Sequence, residues 1–242
     1  MIAQAAPGVV RVRADNPGPL TLDGTNTWVL GSDPAWVVDP GPGSGAHLDA
    51  VAEVVAGLGG AGGVVLTHDH ADHSEGAEEM AVRLGVTLGD PGPLETVSLP
   101  GHSDDHVAYV WDGVCCAGDA VLGQGSVFVA GDMAGYLDGL RALRARALRL
   151  ICPGHGPPVH DPAAKLDEYI SHRLDRERRL LQALAGGVRG EDALLDAVWG
   201  DAPVQLRMAA ALTMRAHLRK LAAEDQLPAD VTAPPAGDTP AI

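Results

Sequence analysis

Gly63-Val-Val-Leu-Thr67 runs directly into His68-Asp-His-Ala-Asp-His73, and this junction decides the fold. The first half is a short, fully apolar run of strand length. The second half places three histidines and two aspartates within six residues. A strand end that feeds a loop aims several side chains into one space. Neutral imidazole nitrogens and carboxylate oxygens are the usual ligands of zinc and similar ions. A solvated surface loop could carry the same letters, but not directly behind a buried strand.

Three more stretches repeat the pattern downstream. Pro100-Gly-His102-Ser-Asp-Asp-His106 precedes the strand-like His106-Val-Ala-Tyr-Val-Trp111. Gly118-Asp119 closes Val114-Cys-Cys-Ala117, and Pro153-Gly-His155-Gly-Pro157 closes Leu148-Arg-Leu-Ile-Cys152. Each puts a ligand-type residue at a strand end beside glycine, which permits a tight turn and close backbone approach. One such residue is more often a cap or a turn. Four such elements at one edge of a layered sheet point to a shared site.

Working outward, Thr27-Trp-Val-Leu and Ala35-Trp-Val-Val-Asp39 read as strands split by the turn Gly31-Ser-Asp-Pro34. A helix follows with Leu48, Val51, Val55 and Leu58 on one face, closed by Gly59-Gly60. Tyr136, Leu137, Leu140, Leu143 and Ala147 mark another before the last strand. Strands mixed with helices predict layered sheets flanked by helices, an α/β core over residues 1–160. Beyond Pro157 the pattern is helical only. Leu166, Tyr169, Ile170, Leu174 and Leu181 form one stripe, Glu191–Trp199 a second helix and Val204–Glu224 a third. Residues 161–228 therefore read as a helical subdomain, and 229–242, rich in Pro, Ala and Asp, as a loose tail.

Composition excludes several classes. The chain has 242 residues, 46% hydrophobic and 20% charged, which is globular rather than disordered or fibrous. No apolar run approaches a membrane span of about 20 residues, so no membrane partner is expected. Three cysteines without a C-x-x-C pair, and no basic stretch before an apolar run at the N-terminus, lead us to expect a cytoplasmic location. Cys115 and Cys116 read as small buried strand residues rather than nucleophiles. There is no G-x-S-x-G and no P-loop. The net charge of −15 is uneven: residues 1–140 hold 3 basic and 19 acidic side chains, residues 141–220 hold 14 basic and 9 acidic. This is not the footprint of a nucleic-acid binder, although the basic third leaves room for an anionic substrate on one side. Arginines that solvate exposed helix faces would produce the same asymmetry.

His68-x-His70-x-Asp72-His73 followed by His102, Asp119 and His155 resembles the ordered motif set of the metallo-β-lactamase-fold hydrolases, over nearly the whole chain. Thr25-Asn-Thr27, Asp39-Pro-Gly41 and Glu168-Tyr-Ile-Ser-His-Arg173-x-x-Arg176-Glu177 look most like its β-lactamase-like protein 2 branch, described as single-strand-specific endoribonucleases with thioesterases as close relatives. The resemblance implies a four-layer αββα sandwich with a helical, winged-helix-like C-terminal segment. It implies two divalent metal ions, zinc expected: one on His68, His70 and His102, the other on Asp72, His73 and His155, bridged by Asp119. Such a pair lowers a water's pKa from about 15.7 to about 7, and Asp72 would orient that water or take its proton. Asp39 resembles a residue that fixes an imidazole tautomer. His106 reads equally as a local partner of the site or a strand-start histidine. His172 and Arg173 could reach the site from the C-terminal helix or simply pair with Glu168 and Glu177. His47, His160 and His217 read as surface or packing residues.

Two features depart from that pattern. Only 28 residues separate His73 from His102, which should open the site or thin the first sheet, and which leaves His102 the least anchored of the set. Ser74-Glu75-Gly76 stands where the family has Ser-Gly-Gly, so Glu75 adds a charge near the metals or faces solvent. The expected function is a dinuclear hydrolase acting on an anionic or acyl small substrate: single-stranded RNA, or an activated ester, thioester or lactone. The alternative is a non-catalytic nucleic-acid or protein-binding module with a metal-stabilised core. Nothing in the sequence speaks for a defined oligomer.

Overall fold

The computed structural model of the chain describes residues 1–235. Its first sheet has five strands in spatial order: β1 Ile2–Ala6, β2 Val9–Arg13, β3 Asn26–Gly31, β4 Ala35–Val38 and β5 Ala61–Val65. All neighbours are antiparallel except β4 and β5, which helix α1 (Gly45–Gly57) joins as a parallel pair. The second sheet runs β6 Glu95–Ser98, β7 Val107–Trp111, β8 Val114–Gly118 and β9 Leu150–Pro153. Here β8 and β9 are the parallel pair, joined through α4 (Met133–Arg144). A helical turn, α2 (Ala71–Ser74), and α3 (Ala77–Leu84) lie between the sheets in sequence.

Alternation along the strands builds the layers. Trp28, Leu30, Val38 and Val65 of the first sheet meet Tyr109, Val114, Cys116, Leu150 and Cys152 of the second in a core between the sheets. The intervening Val29, Val37 and Val64 face the other way, onto Leu48, Val51 and Val55 of α1 and Met80 of α3. Ala108, Cys115, Ala117 and Ile151 likewise face Leu137 and Leu140 of α4 and Leu166 and Tyr169 of α5 (Pro162–Ala185). The order is helices, sheet, sheet, helices: the expected αββα sandwich. Cys115 and Cys116 are buried on opposite faces of β8.

The C-terminal part packs α5, α6 (Glu191–Trp199), a 3-10 turn at Val204–Leu206 and α7 (Arg207–Ala223) around Leu180, Leu195, Met214 and Leu221. No strand follows β9 among the described residues, so this part is helical and the strands of a wing are not among its elements. Past α7 the Gln226 N–H donates to Leu221 O at 2.8 Å and closes the helix. Val231 packs on these helices and Asp230 pairs with Arg189. The remainder of the expected tail, residues 236–242, lies outside the described residues. No helix among the described residues is long and apolar enough to cross a membrane.

After α3 the short segment leading to His102 pairs with β5 through an isolated parallel bridge, Val64 to Leu88, and adds no further strand to the first sheet. Glu75 is exposed and accepts the Gly43 N–H at 3.0 Å, which turns its charge toward the α1 loop. His47 is buried against Thr27 Oγ1 at 2.8 Å, and His217 is buried beside Glu177.

Two outcomes are expected. Leu140, fully buried under the second sheet, should lose about 2–5 kcal/mol of unfolding free energy as Leu140→Ala, read from urea titration. Burial lowers the His47 pKa from 6.5 to about 4. The unfolded chain therefore takes up this proton first, and stability falls as pH drops from 6.5 toward 4. His47→Gln should show a shallower loss across that window than wild type.

Candidate metal centre

The two parallel pairs end at the same edge of the sandwich. Asp39 follows β4, Thr67 and His68 follow β5, Asp119 follows β8 and His155 follows β9. The antiparallel neighbours β3 and β7 begin there, so Thr25 and His106 arrive from the opposite chain direction. Thr25 forms an isolated bridge with His155, and the Asn26 side-chain amide donates to Pro153 O at 3.1 Å and Gly156 O at 2.9 Å. Trp28 Nε1 donates to Pro153 O at 2.9 Å, so the first sheet grips the turn that carries His155. Gly154 is required in that turn: a Cβ there would run into the Asp119 carboxylate and the His73 ring.

Asp39 organises the buried side. It sits in the left-handed region at φ 52°, an uncommon state for a non-glycine residue, and three hydrogen bonds hold it there. Its oxygens accept from Thr67 N at 2.7 Å, Thr67 Oγ1 at 2.7 Å and His73 Nδ1 at 2.9 Å. Because the Thr67 hydroxyl gives its one proton to Asp39, it is the acceptor for His68 Nδ1, 3.0 Å away. Both histidines thereby turn an Nε2 lone pair away from Asp39. Such carboxylate-to-imidazole support fixes tautomer and ring orientation.

On one side, His68 Nε2 is 3.0 Å and His102 Nε2 is 3.1 Å from His70 Nδ1. With the His70 proton on Nε2, three lone pairs converge there, an arrangement that a cation would satisfy. On the other side, His73 Nε2 is 3.5 Å from both Asp72 Oδ2 and Asp119 Oδ1, so a lone pair faces two carboxylates. His73 Nε2 and Asp119 Oδ1 are buried without a hydrogen-bond partner. His155 Nε2 lies 3.2 Å from Asp72 Oδ2 and 3.2 Å from Asp119 Oδ2, and Asp119 Oδ2 is 3.7 Å from His102 Nε2. Two triplets could each hold a metal ion, His68–His70–His102 and Asp72–His73–His155, with Asp119 lying between them. The orphaned atoms and the nitrogen–carboxylate donor set fit cations of the zinc type.

The electrostatics divide the same way. Burial lowers His68 to about 2, helped by the neighbouring charges of His73 and His106, and burial lowers His102 to about 4. These rings are neutral donors at pH 7. Burial also opposes charge on His73 and His155, but the carboxylates outweigh it. Asp119 and Asp39 push His73 well above its ordinary value, and Asp119 and Asp72 raise His155 to about 9. Burial tends to raise Asp72 and Asp119, yet the histidines hold Asp72 down to about 2 and Asp119 well below the carboxylate range. A proton on either histidine and a metal cation answer the same field.

The seven residues singled out around the motif converge here, His102 included despite its short approach. His106 accepts the Asp119 N–H on Nε2 at 3.2 Å and is fully buried, so it orients the Asp119 backbone. His172 and Arg173 do not reach the centre, which corrects that expectation. His172 lies on the face of α5 that meets Arg176, and Arg173 donates to Ser126 Oγ and Val127 O while stacking on Tyr136. Helical spacing fixed their face but not which loop packs on it. Thr25 is a residue that sequence reasoning left without a role. Its hydroxyl donates to Asp72 Oδ2 at 3.0 Å, while Asn16 holds Thr25 by both N–H and Oγ1. The threonine preceding Asn26 in Thr25-Asn-Thr27 was the available signal.

His70, Asp72, His102, Asp119 and His155 form the floor of a cavity of about 410 Å³. Its walls come from the 19–22 loop, the loop after β8 and Leu206. The C-terminal helices hold that second loop. Arg173 grips Val127, Thr213 Oγ1 accepts the Val129 N–H at 3.1 Å, and Arg219 donates to Ala130 O. Phe128, between these anchors, lies 5.5 Å from the His102 ring, centroid to centroid.

A scan of protein-family models returned no match. Among curated proteins, a β-lactamase-like protein 2 homolog of Caenorhabditis elegans is 30% identical over 257 residues, covering 91% of this chain and 86% of the relative. The lactamase-like protein nscB of Trichophyton rubrum is 31% identical, covering 78% and 67%. An atrochrysone carboxyl ACP thioesterase of Aspergillus chevalieri is 30% identical, covering 76% and 68%. Among solved structures, a β-lactamase domain protein from Burkholderia ambifaria superposes with a TM-score of 0.70 at 21% identity, covering 93% of this chain and 88% of that one. A metallo-β-lactamase family protein from Thermus thermophilus gives 0.65 at 22%, covering 91% and 95%. Motif, fold and relatives agree: the chain belongs to the metallo-β-lactamase-fold hydrolases, with the β-lactamase-like protein 2 homologues among its relatives.

Proposed function

We propose that the chain is a dinuclear metal-dependent hydrolase of activated acyl esters or thioesters. The observation that carries the dinuclear reading is the pair of facing ligand triplets with Asp119 between them. His68, His70 and His102 would hold one cation, and Asp72, His73 and His155 the other, zinc being the expected ion. When bound, two such cations lower the pKa of a water and stabilise a developing oxyanion.

The chain's own residues do the rest. His70 and Asp72 are the half-buried members and face the cavity. Asp72 has one oxygen aligned by Thr25 and His155, and its depressed pKa keeps it ionised, ready to orient a water or receive its proton. Asp39 and Thr67 keep the His73 and His68 imidazoles in register, and His106 holds the Asp119 backbone. The acyl reading is favoured over single-stranded RNA because no Lys or Arg lines the cavity among the described residues, whereas a phosphodiester backbone calls for cationic contacts. The thioesterase name of one relative supports the same choice.

Side-by-side assays on acyl thioesters and single-stranded RNA, with and without chelator, test the reading. We expect chelator-sensitive thioester hydrolysis; RNA cleavage with inert thioesters would replace the acyl assignment. Elemental analysis of metal-replete protein should give about two ions per chain, and Asp72→Ala should lower kcat by about 10²–10⁴-fold with the fold retained. Thr25→Val should lower kcat by about tenfold to a hundredfold, the loss of one hydrogen bond to a charged group, while Thr25→Ser restores most of it. Wild-type kcat in Thr25→Val would remove Thr25 from the site.

A further inference from the structure

The cavity wall is apolar, and the side chains that make it come from three distant parts of the chain. Leu20 and Leu22 stand on the loop after β2. Leu122, Val127 and Phe128 stand on the loop after β8. Leu206 arrives from the 3-10 turn between α6 and α7. The inner end of this wall is the ligand cluster itself, through Phe128 against His102. At the outer end, Leu20 is 46% and Leu206 47% exposed, an apolar side chain half in water on each lip. Val204 and Met208, beside Leu206, are 83% and 76% exposed and carry the apolar strip outward.

A cleft with this gradient sorts its ligand. The polar, ionised end accepts the reacting carbonyl, and the apolar wall accepts carbon. A contiguous apolar wall that ends on a few convergent polar groups is the usual form of a small-molecule site. The exposed Leu20 and Leu206 contribute little to the folded core, so their apolar character is unexplained by packing.

We propose that this wall is an acyl-chain site. The substrate carries an apolar acyl group of medium length, seated between the 19–22 loop and Leu206, with its carbonyl at the metal centre. Leu20 and Leu206 are thereby specificity-determining residues, and the C-terminal helices are part of the substrate site. The inference rests on the acyl hydrolysis proposed above and adds which acyl groups are taken.

The test uses a ladder of N-acetylcysteamine thioesters from acetyl to decanoyl, on the full chain loaded with metal. Each methylene that enters the wall should raise kcat/KM by about three- to fourfold. Leu206→Asp and Leu20→Asp should each cut the decanoyl-to-acetyl ratio of kcat/KM by about tenfold or more. Both positions are exposed, so thermal melts should match wild type. A second arm measures decanoate binding by calorimetry to protein stripped with chelator, where the variants should bind at least about tenfold more weakly. A flat ladder in an enzyme that hydrolyses the acetyl ester overturns the inference and leaves the hydrolase reading standing. If no thioester is hydrolysed, the acyl-hydrolase reading fails, and the binding arm decides alone. Decanoate binding that both variants weaken sustains the apolar site; absent or unaltered binding overturns it.

Discussion

Two carboxylates, Asp39 and Asp119, are buried in one corner of the sandwich among five imidazoles, and that burial governs what surrounds them. An ionised carboxylate withdrawn from water is costly unless hydrogen bonds and positive charge compensate it. Asp39 is compensated by protein alone, through Thr67 and His73. Asp119 is not. One of its oxygens has no hydrogen-bond partner, and the imidazoles beside it, His73 and His155, answer its charge only by taking up a proton. Asp39 fixes the His73 proton on Nδ1 and, through Thr67, the His68 proton likewise. The same interactions that satisfy Asp39 therefore leave the Asp119 side short of positive charge. A proton on His73 or His155, or a cation held by the cluster, would remove the deficit.

Topology explains why these groups meet. The same unit occurs twice: an antiparallel pair, a crossover helix, and a strand returning parallel to the second member. In the first sheet it is β3, β4, α1 and β5; in the second it is β7, β8, α4 and β9. A parallel pair joined by a helix ends both of its strands at one edge. Stacking the two units face to face brings four strand ends together, with Asp39, His68, Asp119 and His155 on them. Glycine at 118 and 154 lets the two returning turns approach closely, since a side chain at either position would strike a neighbour of the cluster.

That explains which parts were legible in the sequence. Strands such as Gly63–Thr67 and Val114–Ala117 were visible because burial on both faces requires unbroken apolar runs. The ligand residues were visible because they sit at the ends of those runs. β1 and β6 were not: Ile2-Ala-Gln-Ala-Ala6 is an edge strand of small residues, and Glu95-Thr-Val-Ser98 buries only Val97. Neither displays enough apolar alternation to exceed the surrounding loop signal. β2 is different, because Val9-Val-Arg-Val-Arg13 carries alternation over its last four residues, and that signal was available. Contacts between segments distant in sequence, such as Thr25 with Asp72 or Leu206 with the cavity, leave no periodic trace. They follow from loop paths that only the assembled sandwich defines.

Charge distribution has two readings until the fold is known. The basic C-terminal third left room for an anionic substrate or for arginines on exposed helix faces. In the structure many of those cations face carboxylates of the same helices or their neighbours: Arg144 with Asp167, Arg176 with Asp201, Arg207 with Asp192 and Asp196, Arg215 with Glu191, and Lys220 with Glu177. Arg173 and Arg219 instead cap carbonyls of the loop that carries Phe128. Their role is to pin helices and loop to the sandwich, and none lines the cavity. The acidic first part meanwhile supplies the carboxylates that the metal centre needs. The two halves of the asymmetry thus shape one cleft: carboxylates at its floor, which could hold cations, and arginines that hold the loop above it.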